Sequence, residues 1–419
     1  MSKTNASAKI SSAETSNHPR PAEHDPPGTG AEVGIAFLKL GLSSFGGPIA
    51  HLGYFHREFV ERRRWLDEEH FGQLLALCQF LPGPASSQLG FSLGLLRAGW
   101  LGGIAAFIGF TLPSAVLLFV FAAWSSHLAG PWGQSAIHGL KLVAVAVVAQ
   151  GVLGMARTLT PDRSRALMAA AAAGLIAISS SAWMQLLIVV GGAALGPWLC
   201  RQVVARRGET FALHYGQRSG GTLLVLFGAL LVTAVVVAPH LPPLAQVAGA
   251  FYRAGALVFG GGHVVLPLLK RAVVDPGWLS NDTFLAGYGA AQAVPGPMFT
   301  LSAFLGERLH GGQGGALGAT VSLLAIFLPG LLLVSAALPF WRALGARDGA
   351  ARMLAGVNAV VVGLLAAALY DPVWVSAVHD AGDFAIALMA FTLLVAARWP
   401  ALAVVAWCVV ASLLRTVWI

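Results

Sequence analysis

The sequence has 419 residues, of which 57% are hydrophobic and only 11% are charged. Because soluble domains carry roughly 25% charged residues, this composition excludes an ordinary soluble protein and predicts an all-α, polytopic membrane protein. The formal net charge of +8 does not indicate a nucleic-acid-binding protein, since the basic residues fall in short loops between apolar runs and form no continuous basic face.

The chain begins with a polar segment, residues 1–30, that is rich in Ser, Pro, Asn and His. No apolar stretch with a small-residue cleavage site follows it, so we predict a disordered cytoplasmic tail and not a signal peptide. About 13 apolar segments come after it, with lengths near the roughly 20 residues that cross a bilayer as a helix. They run approximately over residues 31–50, 71–96, 100–124, 136–157, 165–181, 183–199, 221–239, 246–269, 283–305, 314–340, 352–370, 382–397 and 399–416.

One set of sequence motifs occurs twice in the chain, in the same order. The first copy is Phe45-Gly46-Gly47, Trp65-Leu66, Gln79 and Pro82-Gly83-Pro84, and the second is Phe259-Gly260-Gly261, Trp278-Leu279, Gln292 and Pro295-Gly296-Pro297. Further matches pair Leu112-Pro113 with Leu328-Pro329, and Gly139-Leu140-Lys141 with Gly356-Val357-Asn358. The duplicated unit therefore covers about six segments. One extra segment separates the copies, and an odd spacer inverts the second copy relative to the first.

The repeat divides the chain into regions. We predict a tail at 1–30, an N-terminal transmembrane repeat at 31–200, a basic linker with the extra segment at 201–245, and an inverted C-terminal repeat at 246–419. With the N-terminus inside, most basic loops are cytoplasmic, as the positive-inside rule requires. The exception is Arg62-Arg63-Arg64, which would lie outside if the first segment crossed fully. Alternatively, residues 31–64 and 70–97 are helical hairpins that turn back at their Gly-Gly and Pro-Gly-Pro motifs, and the sequence leaves both topologies open.

The Gly and Pro motifs predict broken helices inside the membrane. A Pro-Gly-Pro leaves backbone groups without helical partners, and in hydrocarbon such groups must face protein, water or a ligand. Glycines let backbone N–H groups approach an ion, and each helix that starts after a break directs its positive dipole end there. Hydroxyls and amides near the breaks can donate to an oxyanion, or can bond back to their own helices. The candidate substrate-binding residues are Ser44, Gly46, Gly47, Gln79, Gly83, Ser86, Ser87, Gly260, Gly261, His263, Gln292, Gly296 and Thr300.

Basic residues also recur within the apolar segments. Lys39 and Arg253 occupy corresponding places, each six residues before its Phe-Gly-Gly motif, which is about 9 Å along a helix. Two symmetry-related cations suit a doubly charged anion, although snorkelling toward the membrane surface would also explain them. Lys141, which the repeat matches with the neutral Asn358, is a further candidate.

Other chemistry has little support in the sequence. The apolar interiors hold no carboxylate, so the coupling ion is not indicated. Cys78, Cys200 and Cys408 are far apart and lack metal-ligand spacing, so we expect neither a metal site nor a cofactor. His51 and His56 fall in a charged loop and do not form paired axial ligands, which argues against a membrane reductase.

The motifs resemble those of the chromate ion transporter family in its long, two-domain form. The matching text is Phe45-Gly46-Gly47-Pro48 with Cys78-Gln79 and Pro82-Gly83-Pro84, and again Phe259 to Pro267 with Gln292 to Pro297. The resemblance spans essentially residues 31–416. It implies an inner-membrane secondary transporter that exports chromate and confers chromate resistance, with two halves in opposite orientation.

The resemblance leaves the substrate and the transport mode open. Chromate is a tetrahedral dianion much like sulfate, so transport of sulfate or another oxyanion is the alternative. An anion channel would also use broken helices, but an inverted repeat favours a carrier. The expected partners are chromate and membrane lipids and no nucleic acid, and a homodimer is compatible with the sequence.

Overall fold

The structure, a computed structural model, describes residues 28–45, 47–125, 130–178, 182–203, 211, 213–258, 265–309, 313–341 and 347–418. All regular secondary structure in these ranges is helical. Among the described residues, five helices are long and apolar enough to cross a membrane, and three shorter apolar helices accompany them. The predicted all-α, polytopic fold is therefore confirmed. Residues 1–27 of the predicted tail lie outside the described part of the chain.

The helices follow the duplicated sequence. The first half contains α1 (Gly30–Ser43), α2 (Gly47–His56), α3 (Glu68–Phe80), α4 (Ala85–Ser125), α5 (Pro131–Leu159), α6 (Arg163–Ile178) and α7 (Ala182–Leu199). The spacer helix is α8 (Gln217–Val232). The second half contains α9 (Pro243–Ala256), α10 (Val265–Val273), α11 (Asn281–Ala293), α12 (Leu301–Glu307), α13 (Gly315–Ala337), α14 (Asp348–Ala368), α15 (Ala381–Val395) and α16 (Ala401–Trp418).

Four of the predicted apolar segments are broken at the repeated motifs. The segment 31–50 divides into α1 and α2 at the Gly-Gly motif, and the segment 71–96 divides at Pro-Gly-Pro, where α3 ends and α4 begins. In the second half the same breaks separate α9 from α10 and α11 from α12. The predicted broken helices are thus confirmed, and each half-helix is too short to cross a bilayer alone.

The long helix α4 is a tight hairpin and not one straight rod. Its backbone leaves the helical region at Ala98 and Gly99, and Gly99 has φ +63°. Gly94 packs directly on the backbone of Gly102, so the arm before the turn (residues 85–97) runs antiparallel to the arm after it (residues 100–125). The second half repeats this arrangement, since Gly306 of α12 packs on Gly318 of α13.

Contacts around Glu32 favour one of the two open topologies. Glu32 lies in the first turn of α1, and its carboxylate oxygens are 3.8 Å from Arg63 Nη1 and 3.6 Å from Arg97 Nη2. The Gly28 amide donates to the Arg97 carbonyl at 3.1 Å. Residues 63 and 97 therefore return to the end of the molecule where α1 begins. The segments 31–64 and 70–97 turn back at their motifs and do not cross the protein.

Equivalent helices of the two halves run in opposite directions. The second arm of α4 and its counterpart α13 meet at Phe107 and Phe327, whose ring centroids are 5.2 Å apart. Further along α4, Ala115 joins a small buried cluster with Ala319 of α13. The residue number rises along α4 as it falls along α13, so the two helices are antiparallel. This is the inverted repeat that the odd spacer predicts.

The two halves exchange helices and form one body. Helix α5 of the first half packs against α15 and α16 of the second, with Gly139 on the backbone at Val409. Reciprocally, α14 of the second half packs against α6 and α7 of the first, where Gly363 meets the Ala169 carbonyl. These glycine contacts bring helix backbones close together, as small residues commonly do in membrane proteins.

Candidate functional site

Two hydrogen bonds join the broken segments of one half to those of the other. The Gly296 amide donates to the Ser44 carbonyl at 2.9 Å, and the Gly83 amide donates to the Val258 carbonyl at 2.7 Å. Ser44 and Val258 are equivalent, because each directly precedes a Phe-Gly-Gly motif. Each Pro-Gly-Pro therefore meets the Gly-Gly break of the opposite half. We call these contacts the first crossing (Gly296 with Ser44) and the second crossing (Gly83 with Val258).

Only glycine fits at the centre of each crossing. Gly83 has φ +127° and Gly296 has φ +99°, conformations that L-residues with a Cβ rarely adopt. A Cβ at Gly83 would also come within 2.8 Å of Gln88 Nε2 and 3.0 Å of Gly330 Cα. One at Gly296 would come within 2.8 Å of Ser114 Oγ. The missing side chains thus allow both the backbone turn and the close approach of the two halves.

Each crossing rests on a proline-containing helix of the opposite half. Gly83 lies beside Gly330, which follows Pro329 in α13, and Gly296 lies beside Ser114, which follows Pro113 in α4. The repeated Leu-Pro pairs, Leu112-Pro113 and Leu328-Pro329, mark these positions in the sequence. Their location shows that they belong to the same region as the broken helices.

Gln88 closes the second crossing; it is one of the polar side chains that the sequence places near the first break, but it was not among the candidate substrate-binding residues. Its Nε2 donates to the Pro82 carbonyl at 2.9 Å and to the Gly330 carbonyl at 3.0 Å. It thereby links the Pro82 carbonyl, in the break between α3 and α4, to the Gly330 carbonyl of α13 in the opposite half. The repeat matches Gln88 with Leu301, so the duplicated pattern gave no signal for it.

Several buried polar atoms around the crossings have no hydrogen-bond partner within the described part of the chain. They are Ser44 Oγ, Ser87 Oγ, Gln88 Oε1, Thr111 Oγ1 and Gln292 Nε2. Burying a polar group without a partner costs about 1–3 kcal/mol, and native proteins rarely leave several in one place. Four of these five groups are able to donate to an oxyanion. The region therefore has the donor chemistry of an anion site.

Among the described residues, the start of α4 offers backbone donors at the second crossing. The Gly83 and Gly296 amides are engaged in the crossings, where they donate to carbonyls of the opposite half. Helix α4 begins at Ala85, and the amides of Ala85, Ser86 and Ser87 precede the first intrahelical bond, from the Gln88 amide to the Pro84 carbonyl at 2.9 Å. These amides carry the positive end of the helix dipole.

The other predicted substrate-binding residues differ in their burial and in their hydrogen bonds. Ser86 is buried beside Ser87, and Thr300 is buried with its hydroxyl donating to the Pro297 carbonyl at 2.6 Å. Gly47 has φ +74°, and a Cβ there would meet nothing within 4 Å, so space adjoins the first break. Gln292 is 8% exposed, whereas its repeat counterpart Gln79 is an exposed residue. The predicted residues outside the described part of the chain are Gly46, Gly260, Gly261 and His263.

The predicted cations do not share one environment. Lys39 is exposed on α1, while the Arg253 guanidinium donates through Nη1 to the Ala234 carbonyl, at 2.8 Å, in the π-helical segment Thr233–Val237 that continues α8. Lys141 Nζ is 2.6 Å from Asp282 Oδ1, at the N-terminus of α11. Asn358, the counterpart of Lys141, has a buried Oδ1 without a described partner. None of the three cations contacts a crossing residue through a described ion pair or hydrogen bond.

Comparison with known proteins identifies the family. The model of the family described as "Chromate transporter" matches residues 31–197 and residues 245–413, one match in each half. The chain belongs to the chromate transporter family. Membership makes the protein a membrane transporter and not an enzyme, and it confirms the resemblance seen in the motifs.

Curated members of the chromate transporter family align over most of the chain. A "Probable chromate transport protein" of Synechococcus elongatus is 31% identical over 365 residues, which is 84% of this chain and 87% of the relative. A "Chromate transport protein" of Pseudomonas aeruginosa is 28% identical, covering 84% of this chain and 83% of the relative. A "Chromate transport protein" of Cupriavidus metallidurans is 27% identical, covering 80% of each. No solved structure matches the chain.

His51 is a second residue of this family member that the sequence did not assign to the site. It appeared to fall in a charged loop, but the structure buries it in α2, where its Nε2 is 3.2 Å from the Ser44 carbonyl. Its Nδ1 is buried without a described partner. His51 thus lies at the first crossing, on the carbonyl that also accepts the Gly296 amide. The signal was its position four residues after Gly47, one turn along a helix.

The placement of Arg253 leads to a testable prediction. Replacing Arg253 by Met removes its bond to the Ala234 carbonyl, and we expect a loss of about 1.5–3 kcal/mol of stability because hydrogen bonds that involve charged groups have this value. The measurement is thermal unfolding of the protein in nanodiscs, together with the KM for chromate. A raised KM at unchanged unfolding temperature would instead place Arg253 at the substrate.

Proposed function

We propose that the protein is a secondary transporter that carries chromate out of the cell across the inner membrane, and so confers chromate resistance. The observation that supports this most directly is the pair of reciprocal crossings, in which breaks from two inverted halves meet. Inverted-repeat transporters bind substrate near the membrane midplane at such an interface. The printed names of the relatives, which refer to chromate transport, supply the substrate class.

The substrate site lies between the two crossings in this proposal. The free amides at the start of α4 and the hydroxyl of Ser87 would donate to one side of a tetrahedral oxyanion, and Gln292 Nε2 to another. Uncharged donors suit a transporter, because they bind an anion without the desolvation cost of a buried cation. A dianion held this way can leave again, which turnover requires.

The proposed orientation places the N-terminus in the cytoplasm. Arg63 and Arg97 pair with Glu32 at the start of α1, so the basic cluster that seemed to violate the positive-inside rule lies on the same side as the N-terminus. A dianion that leaves a cell with a negative interior moves electrically downhill, by about 2.3 kcal/mol per charge per 100 mV. Export therefore needs little additional driving force.

A counterflow assay in proteoliposomes tests the proposal. The protein is reconstituted with unlabelled chromate inside, and uptake of labelled chromate, sulfate or molybdate is followed at clamped membrane potential and pH. We expect saturable chromate uptake that trans-chromate accelerates. In a parallel preparation the vesicles contain unlabelled sulfate. If internal sulfate accelerates uptake and internal chromate does not, this member is a sulfate transporter. If the flux does not saturate, the protein is a channel.

A further inference from the structure

A charged pocket lies away from the crossings, where α5 of the first half meets α15 and α16 of the second. It has a volume of about 730 Å³ and contains two histidines, His138 and His379, together with Asp383 and Arg415. The Lys141–Asp282 ion pair also lines this pocket. Neither the family motifs nor the crossings involve the two histidines, so the proposed transport site does not account for them.

The two histidines and Asp383 have the geometry of a metal-ligand set. His138 Nε2 is 2.8 Å from Asp383 Oδ1, and His379 Nδ1 is 3.7 Å from Asp383 Oδ2. One ligand atom from each residue lies within 4.8 Å of the others. Ligands of a tetrahedral Zn²⁺ stand about 2.0–2.2 Å from the ion, and hence about 3.4 Å from one another. The observed separations bracket that distance, so small side-chain movements suffice.

Surrounding groups hold the Asp383 carboxylate in place. Its side chain is 3% exposed, the Arg415 Nη1 donates to its Oδ1 at 2.6 Å, and the His379 amide donates to its Oδ2 at 3.1 Å. Hydrogen-bonded carboxylates of this kind are typical of metal sites, where the second layer of residues orients the ligands.

The charge balance of the pocket favours a cation. Arg415 also pairs with Asp380 at 2.5 Å. Two carboxylates, Asp380 and Asp383, thus face one guanidinium, and the Lys141–Asp282 pair is neutral in itself. With neutral imidazoles the cluster has one net negative charge. A divalent metal ion would reverse that charge, while a further anion would increase it.

The duplicated fold does not require this cluster. The match of Gly139 with Gly356 places Ala355 at the position equivalent to His138. Helix α6, the counterpart of α15, begins with Arg163-Ser164-Arg165 and has no carboxylate in its first turn. The symmetry-related position therefore lacks the counterparts of His138 and Asp383, although Asp162 accepts the Arg165 amide at the start of α6 and pairs with the Arg165 side chain at 2.6 Å.

We propose that His138, His379 and Asp383 bind a divalent transition-metal ion of the Zn²⁺ type, and that the bound ion slows transport. Two imidazoles and one carboxylate bind ions of this type more readily than they bind Mg²⁺ or Ca²⁺, which prefer sites made of oxygen ligands alone. His138 belongs to the first half and the other two ligands to the second, so the ion would hold the halves in one relative position. The inhibitory effect rests on the proposed transport function, whereas the binding site does not.

The test uses full-length protein in nanodiscs, purified without a polyhistidine tag. Zn²⁺ affinity is measured by competition with a chromophoric chelator, and Co²⁺ absorption reports the coordination geometry. We expect one Zn²⁺ per chain, with affinity reduced at least 100-fold in His138→Ala and in His379→Ala. The control His214→Ala removes an exposed histidine outside the pocket and should leave affinity unchanged, as should a double His18→Ala, His24→Ala variant.

The outcomes separate the site from its effect. Unchanged Zn²⁺ affinity in His138→Ala, or no binding by the wild-type protein, overturns the proposal. If the pocket variants do not fold, two measurements on the wild-type protein test the site instead. Bound Zn²⁺ must raise its unfolding temperature, and bound Co²⁺ must give the absorption spectrum of a site with nitrogen and oxygen ligands. Zn²⁺ should also inhibit chromate counterflow by the wild type and not by His379→Ala. Zn²⁺ binding without any chromate counterflow would retain the metal site and reject the proposed transport function.

Discussion

Replacing Gly83 or Gly296 by alanine is expected to reduce chromate transport by roughly 5- to 150-fold. An alanine at φ +127° or φ +99° costs on the order of 1–3 kcal/mol in backbone strain, and each 1.4 kcal/mol is tenfold in an equilibrium. The added methyl group also meets Gln88 Nε2 or Ser114 Oγ at 2.8 Å. The crossing must widen, and the donors that surround it lose their alignment. The measurement is initial counterflow rate at saturating and at low chromate.

Two matched controls show whether the loss is specific to the crossings. Gly154→Ala in α5 and Gly221→Ala in α8 introduce the same methyl group, but nothing lies within 4 Å of either position. Both glycines are inside helices, where alanine is favoured by about 1 kcal/mol, so these variants should be as stable as the wild type and fully active. Full activity of Gly83→Ala and Gly296→Ala would contradict the proposed role of the crossings.

The sequence predicts the breaks well because helix interruption is a local property. Gly and Pro act on their own backbone, so the ends of α1, α3, α9 and α11 follow from the motifs. The partner of each break is a different matter. That Gly83 meets Val258 and Gly296 meets Ser44 depends on how two inverted halves pack together, and no local pattern contains that information.

The topology near the N-terminus illustrates the same limit. The sequence leaves two arrangements open for residues 31–97, and the long-range ion pairs of Glu32 with Arg63 and Arg97 distinguish them.

The predicted cations show a second limit of sequence-based prediction. Spacing places Arg253 about 9 Å from its break along a helix, but the direction of the side chain depends on the neighbouring spacer segment, whose Ala234 carbonyl it contacts.

The sequence repeat predicts that equivalent residues of the two halves have the same environment, but in the structure some of them do not. The sequence treats Gln79 and Gln292 as equivalent, yet one is exposed and the other is buried. An inverted-repeat transporter that is open to one side must have unequal halves, because alternating access exchanges the conformations of the two repeats. A single structure of such a protein is expected to break the symmetry at the residues that bind substrate.

Gln292→Leu is expected to reduce chromate transport by roughly 10- to 150-fold without loss of stability. A hydrogen bond to a charged group is worth about 1.5–3 kcal/mol, and Gln292 Nε2 is a buried donor without a described partner. Leucine fills a similar volume and removes a polar group that the folded protein does not satisfy, so the unfolding temperature should stay equal or rise. A residue that only joins helices would show the reverse pattern, with reduced stability and normal transport. Gln246→Leu supplies a control for losing a purely structural glutamine hydrogen bond, because Gln246 Nε2 donates to the Leu241 carbonyl, five residues earlier, at 2.9 Å. If Gln292→Leu retains the wild-type KM and rate for chromate, Gln292 is not a ligand of the substrate and the anion must bind elsewhere along the crossings.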